Sequence, residues 1–227
     1  TYDGDGNPTQ VLISQQTRRA DGVVESMTTL NQNTYYPADL INWRVGQLDT
    51  ATVTHTQGSS VVTQVSKTIY DPATGVIKQE IAEPNKPDFK TVTRYEYDTW
   101  GNVVLTGSRA DFSTTPAKRV AETTVTTTYD PTLHLFPVSK SNALGHTQTS
   151  TYDLATGNKL SDTGPNGLSS YYQYDLYGRM IVSMAADGTK SVTSYLDCPA
   201  AGNCPALAKF AVKTQTLKDA DGSLSSG

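Results

Sequence analysis

Three histidines and two cysteines are the side chains of this chain that are best suited to metal binding or nucleophilic catalysis. His55, His134 and His146 are far apart in the sequence and lie in strand-like or turn-like segments. The chain has no nucleophile elbow, phosphate-binding loop or zinc-protease helix to accompany them. We therefore expect surface or packing roles for the histidines, and we predict a protein that is not an enzyme and uses no cofactor.

The two cysteines, Cys198 and Cys204, flank a Gly-Asn turn. This short separation across a turn can bring two sulfur atoms within bonding range, which predicts a small disulfide loop. Two free thiols are the alternative. A zinc site is not expected, because two cysteines and three scattered histidines do not form a four-ligand spacing.

Two acidic segments, Asp3 to Asn7 and Asp219 to Ser223, alternate oxygen-bearing side chains with small residues, as calcium-binding loops do. The first lacks the glycine at the sixth position and the glutamate at the twelfth that an EF-hand loop needs, and the second ends too soon. Aspartate side chains also organise tight turns by accepting backbone N–H groups. We interpret both segments as turns and predict no metal site.

Trp43 and Trp100 are the rings most suited to stacking on a sugar, in a chain with 13 Tyr, 4 Phe and 2 Trp. Aromatic rings combine a large apolar face with defined stacking geometry. For the regularly spaced tyrosines we favour the alternative, which is packing between successive structural units. The two tryptophans remain candidates for glycan binding.

The composition excludes several classes of partner. With 36% hydrophobic residues, 18% charged residues and a net charge of -4, the chain suits polar strands with thin apolar layers and lacks the charge of a disordered protein. Its 18 Lys and Arg residues are scattered, so nucleic acid is not expected as a partner. The sequence contains no run of about 18 apolar residues, so it predicts no membrane-spanning helix.

The elements that position these residues are set by a repeat. A tyrosine followed by an aspartate opens a short turn six times, and a second glycine-containing turn alternates with it, so each unit carries two turns and two strands. The first copy is Tyr2 with Asp3. The repeat residues to which we assign structural roles are Tyr70, Asp71, Gly75, Tyr97, Asp98, Gly101, Asn102, Tyr129, Asp130, Tyr152, Asp153, Gly157, Asn158, Tyr174, Asp175, Gly178 and Arg179.

Each residue of the Tyr-Asp turn has an expected task. The aspartate can accept backbone N–H groups two residues further on, and the glycine can adopt the positive φ of a tight turn. The tyrosine ring can pack on the next hairpin while its hydroxyl reaches solvent or a neighbouring carbonyl. The copy at Tyr129 and Asp130 has no glycine, which predicts a wider or non-standard turn.

The segments between the turns are β-branched and aromatic, for example residues 91–97, 122–129 and 169–174, and these predict strands. A lone hairpin is marginally stable, so we expect successive hairpins to pair into an elongated, curved antiparallel strip, an all-β fold. The segment 205–211 would form at most one or two helical turns.

The repeat pattern divides the sequence into three parts. Residues 1–67 form an irregular β lead-in with one Tyr-Asp turn, residues 68–197 form the repeat array, and residues 198–227 contain the cysteine loop and a continuation of the array. Because the sequence begins within a turn motif and ends in a Gly/Ser-rich segment, we expect it to be an internal piece of a longer array.

The Tyr-Asp units resemble the YD repeats of RHS-repeat proteins, a group that includes bacterial toxin-complex components, polymorphic toxins and teneurins. The resemblance covers about residues 68–197 and is strongest at 97–102 and across 152–195. Residues 42–48 resemble, less closely, a Trp-x-x-Gly segment that precedes the repeats in large toxin-complex proteins. At Tyr195 the Tyr-Asp pair is interrupted, which suggests an insertion.

The resemblance implies a hollow β shell that encloses a C-terminal toxin or effector, in a secreted or cell-surface bacterial protein. Its partners would be the rest of the same polypeptide's repeat shell and its cargo. The teneurin side of the resemblance implies the alternative, an adhesion module that binds a host glycan or receptor protein. The self-cleaving segment that ends such arrays is not found in this sequence, so no catalytic residue is carried over.

Overall fold

The computed structural model describes residues 1–110, 121–198, 204 and 208–217. These residues form strands joined by turns, with no α-helix among them. Their strands are β1 (Gln10–Arg18), β2 (Val24–Tyr35), β3 (Leu48–Gln57), β4 (Ser60–Tyr70), β5 (Ile77–Ala82), β6 (Thr91–Tyr97), β7 (Val103–Ala110), β8 (Thr123–Tyr129), β9 (Pro137–Asn142), β10 (Thr147–Tyr152), β11 (Lys159–Thr163), β12 (Ser169–Tyr174), β13 (Met180–Met184), β14 (Lys190–Asp197) and β15 (Phe210–Leu217).

The chain divides into two compact units, Thr1–Thr124 and Val125–Gly227. In the first unit, β1 to β7 lie side by side in sequence order, and each strand is antiparallel to the next. In the second unit, β8 to β15 follow the same rule, with β8 beginning just before the boundary. The predicted all-β fold of consecutive antiparallel hairpins is confirmed.

The segments near the two ends of the chain need a closer description. Residues 1–67 contain β1 to β3 and most of β4, the longest strands described, with 9, 12, 10 and 11 residues. The connection between β2 and β3, residues 36–47, is the longest that joins two strands among these residues. Residues 205–207 lie outside the described part of the chain, and Phe210 begins β15, so the end of the proposed helical segment 205–211 is a strand.

The strands bury few side chains. Among the described residues, the buried ones are Val92, Gly107, Cys198, Thr68 and Asp130. The accessible surface is 15426 Å², against roughly 10,000 Å² for a compact monomer of this length. A single sheet layer buries each strand against its neighbours along the ladder, so little side-chain surface is left to form a core.

Hydroxyl pairs across neighbouring strands take over part of the role of a core. Thr151 and Ser161 have their oxygens 2.7 Å apart, and Thr163 and Ser169 have theirs 2.8 Å apart. Cross-strand pairs of this kind each contribute a few tenths of a kcal/mol up to about 1 kcal/mol. They account for the many threonines and serines in a sequence with few large apolar residues.

Candidate functional site: the Tyr-Asp turns

The turn at Asp98 shows how the motif works. The Asp98 N–H donates to the carbonyl of Asn102 at 3.0 Å, and the Gly101 N–H donates back to the Asp98 carbonyl at 3.2 Å. The carboxylate Oδ1 of Asp98 accepts the N–H groups of Trp100 at 2.9 Å and Asn102 at 2.8 Å. The aspartate therefore satisfies backbone donors inside the turn that no strand partner can reach.

We call the residue whose carbonyl accepts the aspartate N–H the closing residue of the turn. In the turn at Asp98 it is Asn102, whose side-chain amide also donates to Asp98 Oδ2 at 3.0 Å. The closing residues of the turns at Asp3, Asp71, Asp130, Asp153 and Asp175 are Asn7, Val76, Phe136, Asn158 and Arg179.

Hydrogen bonds to these carboxylates favour their ionised form. Backbone N–H groups of Thr74 and Ala73 lower the pKa of Asp71, and the Ala155 N–H with the Thr156 hydroxyl lowers that of Asp153. The pKa values of Asp3, Asp39, Asp175 and Asp187 are also lowered. The carboxylates thus act as charged hydrogen-bond acceptors that hold turns closed.

In the glycine-containing turns, the residue just before the closing residue has a left-handed backbone. Glycine fills this position at Gly75, Gly101, Gly157 and Gly178, with φ between 75° and 87°. Only glycine adopts such values without a steric cost from Cβ. This is the conformational role that the sequence predicts for these residues.

The turn at Asp130 places a histidine where the other turns have glycine. His134 has a φ of 56°, and its N–H donates to the Asp130 carbonyl at 3.2 Å. The closing residue, Phe136, follows two positions later, so this turn is wider than the others. Histidine is one of the residues that tolerate the left-handed region comparatively well, which assigns His134 a backbone role.

Asp130 is the most completely enclosed carboxylate described, with 2% of its surface exposed. Its oxygens accept four backbone N–H groups, from Thr132 at 3.1 Å, Leu133 at 2.6 Å, Leu135 at 2.9 Å and Phe136 at 2.9 Å. Burial opposes ionisation of Asp130, but these four donors outweigh it and hold the pKa of the carboxyl well below its usual range.

A β-bulge accompanies the tyrosine in each of these hairpins. The pairing register shifts immediately before the tyrosine, and the extra residue lies on the returning strand, as with Leu160 opposite Tyr152. A bulge locally increases the strand twist and redirects the side chain beside it. The shift occurs at Tyr35, Tyr70, Tyr97, Tyr129, Tyr152 and Tyr174.

Several tyrosine hydroxyls bind the preceding unit. The Tyr97 hydroxyl donates to the carbonyl of Ile77 at 2.7 Å, and Ile77 is the residue paired with the preceding repeat tyrosine, Tyr70. The same relation holds for Tyr195 with Met180 at 3.3 Å and for Tyr35 with Pro8 at 3.0 Å, where Met180 pairs with Tyr174 and Pro8 bridges to Tyr2.

Closing residues form a second link between successive turns. The Phe136 ring stacks on the Tyr152 ring with centroids 5.1 Å apart, and it also covers Gly157. The Arg179 guanidinium lies 4.2 Å from the centre of the Tyr195 ring. These two turns therefore place their closing side chain on the next turn or its tyrosine, which the sequence pattern does not reveal because the residue type at the closing position varies.

Asp39 opens a further turn that the Tyr-Asp pattern misses. Its N–H and carbonyl exchange hydrogen bonds with Arg44, both at 2.9 Å, so Arg44 is the closing residue. Trp43 occupies the glycine position with a φ of 54°. The bulge tyrosine, Tyr35, lies four residues before Asp39, which is why the pair is not adjacent in the sequence.

The alternating turns use the same chemistry with other residues. Asn142 accepts the N–H groups of Leu144 and His146, both at 3.0 Å, through its side-chain oxygen, and Gly145 supplies the positive φ of 79°. An Asn or Asp followed within three residues by Gly, between strand-like segments, is the signal that identifies such turns.

Glycine at position 157 should be needed for space as well as for its conformation. A Cβ built on Gly157 would lie 3.2 Å from the Phe136 ring, whereas one on Gly145 would meet nothing within 4 Å, although both have a φ near 78°. Gly145→Ala should cost about 1 kcal/mol from the left-handed backbone alone. We expect Gly157→Ala to lower the free energy of unfolding by about 2 kcal/mol, measured by urea denaturation. Equal losses in the two variants would contradict a role for the Phe136 contact.

The structure joins Cys198 and Cys204 as a disulfide, with their Cα atoms 6.0 Å apart. Cys198 is 5% exposed and its N–H donates to the Lys209 carbonyl at 2.9 Å, at the position between β14 and β15 where the next Tyr-Asp turn would fall. A covalent link at this position would close the hairpin without a turn aspartate.

Thiol titration tests this link. Denatured, non-reduced protein should show no free thiol, and reduction should release two. Reduction should also lower the free energy of unfolding by about 2 kcal/mol, as expected for a short closed loop. A Cys198→Ser, Cys204→Ser variant should match the reduced protein, and two titratable thiols before reduction would reject the bond.

The remaining candidates take turn or surface positions. Trp43 is 87% exposed and Trp100 is 63% exposed, both in turns that begin with an aspartate. The acidic segment from Asp3 forms such a turn, because the N–H groups of Asp5 and Asn7 donate to Asp3 Oδ1. The segment Asp219 to Ser223 lies outside the described residues.

Within the described part of the chain, no three His, Cys, Asp or Glu side chains lie close enough together to hold a metal ion. His55 shares a hydrogen bond of 2.9 Å with the Thr29 hydroxyl, and His146 closes the Asn142 turn. No helix of the described residues could span a membrane.

Comparison with known proteins gives similarity at the level of the fold. No family model matches the chain, and none of the curated proteins matches it. Solved structures do match. The chain is similar to one in the crystal structure of TcdB2-TccC3-Cdc42, with 15% identity, a TM-score of 0.56, and coverage of 93% of this chain and 10% of that one.

The Tc holotoxin pore of Photorhabdus luminescens gives 15% identity and a TM-score of 0.54, again with 93% of this chain and 10% of that chain covered. The crystal structure of TcdB2-TccC3 without its hypervariable C-terminal region gives 15% identity, a TM-score of 0.55 and the same coverage. The chain thus spans about a tenth of the length of these solved chains and shares the all-β fold of the matched part.

Proposed function

We propose that this chain is a wall segment of an RHS-type repeat shell in a secreted, toxin-related protein, which encloses or presents a C-terminal toxin or effector. Its role is structural and non-catalytic. Its partners are the neighbouring repeats of the same polypeptide and the cargo. The similarity to Tc toxin chains and the repeated Tyr-Asp hairpins support this proposal.

The observation that carries the proposal is the scarcity of buried side chains. Two hydrophobic residues, Val92 and Cys198, are buried among all those described, and the accessible surface is 15426 Å². A layer that buries so little within itself is suited to be one part of a larger wall, where neighbouring repeats and enclosed protein cover what it exposes. The turn-to-turn links supply the rigidity that such a wall requires.

Limited proteolysis of the full-length polypeptide tests enclosure. The segment that follows the repeats should be cleaved at least about tenfold more slowly within the full-length protein than when it is expressed alone, because the wall keeps the protease from reaching locally open states. Gly157→Ala should reduce this protection more than the matched variant Gly145→Ala. Equal cleavage rates in the two contexts would refute enclosure.

The exposure of Trp43 and Trp100 favours a second candidate, an adhesion module that stacks these rings on a glycan. Trp43→Gly is a suitable test, because glycine fits the left-handed position and the free energy of unfolding should change by no more than about 1 kcal/mol. Glycan-array binding that disappears in Trp43→Gly or Trp100→Ala would support adhesion. Absence of binding, or binding that persists when both rings are removed, would exclude stacking on them.

A further inference from the structure

The column of Tyr-Asp turns in the first unit contains one gap. In most of the turns that follow another turn, a side chain from the preceding turn covers the turn glycine. A Cβ on Gly75 would lie 2.9 Å from Arg44, and one on Gly46 would lie 2.8 Å from Asn7. A Cβ on Gly101 would meet nothing within 4 Å.

The gap exists because the closing residue of the preceding turn is short. Val76 holds the position in the Asp71 turn that Arg44 holds in the Asp39 turn, since each accepts the N–H of its turn aspartate. Arg44 reaches the next turn, whereas the valine side chain extends only two carbons, Cβ and Cγ, from Cα, and none of its atoms lies within 4 Å of a Cβ built on Gly101. An open space is therefore left between the two turns.

This space is a groove of about 540 Å³. Its lining includes Val76 on one side and Thr99 and Gly101 on the other, with the rings of Tyr95 and Tyr97 between them. The groove is large enough for one long side chain and small compared with most sites for drug-sized ligands.

The preceding turn shows what such a space accepts. The Arg44 guanidinium donates to the carbonyls of Pro72 and Ala73, at 2.7 Å each, while it lies over Gly75. Pro72 is the residue after the turn aspartate, and its counterpart in the next turn is Thr99, which lines the groove. The Asp71 turn therefore presents two carbonyl acceptors to a planar donor with several N–H groups, and the Asp98 turn, which is one residue shorter, carries Thr99 at the first of these positions.

The charges around the groove favour a cation. Three acidic residues, Asp71, Glu96 and Asp98, and one basic residue, Lys78, are among those that line it. Of these three acids, Glu96 forms an ion pair with Arg94, and 56% of its side chain is exposed. Because Arg94 and Glu96 alternate with Tyr95 and Tyr97 along β6, the Glu96 carboxylate lies on the other face of the strand and acts on a bound cation only through its charge.

We propose that the groove between the Asp71 and Asp98 turns binds the guanidinium of an arginine side chain supplied by a partner polypeptide segment. The arginine takes the place that Arg44 takes at the preceding turn, with its stem against Val76 and its head over Gly101. This binding site does not depend on the shell function proposed above.

N-acetyl-arginine methylamide is the probe for this site, titrated into the isotopically labelled 227-residue chain. The backbone amide signals of Thr99 and Gly101 should shift saturably. N-acetyl-lysine methylamide should bind at least about fivefold more weakly, because an ammonium cannot make the planar, forked contact. Absence of a saturable shift, or equal binding of the two probes, would overturn the proposal.

The chain offers a matched pair of variants at the closing position. Val76→Arg should fill the groove from within and reduce binding of the arginine probe at least about tenfold, whereas Val76→Leu should retain it. Unchanged binding to Val76→Arg would show that the probe binds elsewhere and would refute the site. Should Val76→Arg fail to fold, Val76→Lys gives the same test, since a lysine side chain at this position would also occupy the groove and should weaken binding of the arginine probe at least about threefold, and unchanged affinity would reject the proposal.

Discussion

Replacement of Asp130 by alanine should destabilise the second unit more than replacement of any other turn aspartate in that unit. The substitution leaves the N–H groups of Thr132, Leu133, Leu135 and Phe136 without their acceptor, in a turn where the carboxylate is 2% exposed. Buried backbone donors that lose their partners are costly, because water cannot easily replace the lost acceptor.

Asp187→Ala is the control for this prediction, because Asp187 lies in an exposed turn and accepts the N–H of Thr189 at 2.9 Å. Urea denaturation should show a loss at Asp130 at least about twice that at Asp187. Asp130→Asn should fall between wild type and Asp130→Ala, since one amide oxygen can accept two N–H groups, as Asn142 does. Similar losses for Asp130→Ala and Asp187→Ala would contradict the special role of Asp130.

The second large effect should appear on acidification. The turn carboxylates have folded-state pKa values below those of the unfolded chain, including Asp71, Asp130, Asp153 and Asp175. A group with a lowered folded-state pKa contributes stability that is fully present above its unfolded pKa and is lost as the pH falls toward its folded pKa. The thermal midpoint should therefore be nearly constant from about pH 7 to pH 5 and fall steeply below about pH 4.

Thermal unfolding followed by circular dichroism at several pH values gives the measurement. In Asp130→Asn the decline below about pH 4 should be shallower, because one carboxylate of the set no longer titrates. Added salt should change the decline little, since hydrogen bonds to adjacent N–H groups are screened less than long-range charge interactions. A thermal midpoint that is the same at pH 7 and pH 3 would contradict the assigned role of the turn carboxylates.

The period of the Tyr-Asp motif was sufficient to predict the hairpins and the all-β class. Residues 91–97 and 169–174 were predicted as strands and coincide with β6 and β12. This success has a physical basis, because β-branched and aromatic runs between Asx turns leave the backbone few alternatives to paired strands. Local turn chemistry and strand pairing favour the same structure throughout.

What the sequence does not reveal is how adjacent turns fit together. The closing position holds arginine, valine, asparagine or phenylalanine, so no residue type marks it, although its carbonyl role is constant. The Tyr-Asp pattern misses Asp39, because Tyr36, Pro37 and Ala38 separate it from the bulge tyrosine, Tyr35. His134 and Trp43 occupy left-handed positions that a pattern based on glycine cannot identify. Contacts between units decide these features, and such contacts do not have a sequence period of their own.

The link between a closing side chain and the next turn has a consequence for how such chains change in evolution. Because each joint involves only two consecutive hairpins, duplication or loss of one whole hairpin pair would create a single new joint and leave every other one intact. Only the two residues at that joint, such as Phe136 and Gly157, would then need to become compatible. The length of an array built in this way can vary far more readily than the geometry of any one of its turns.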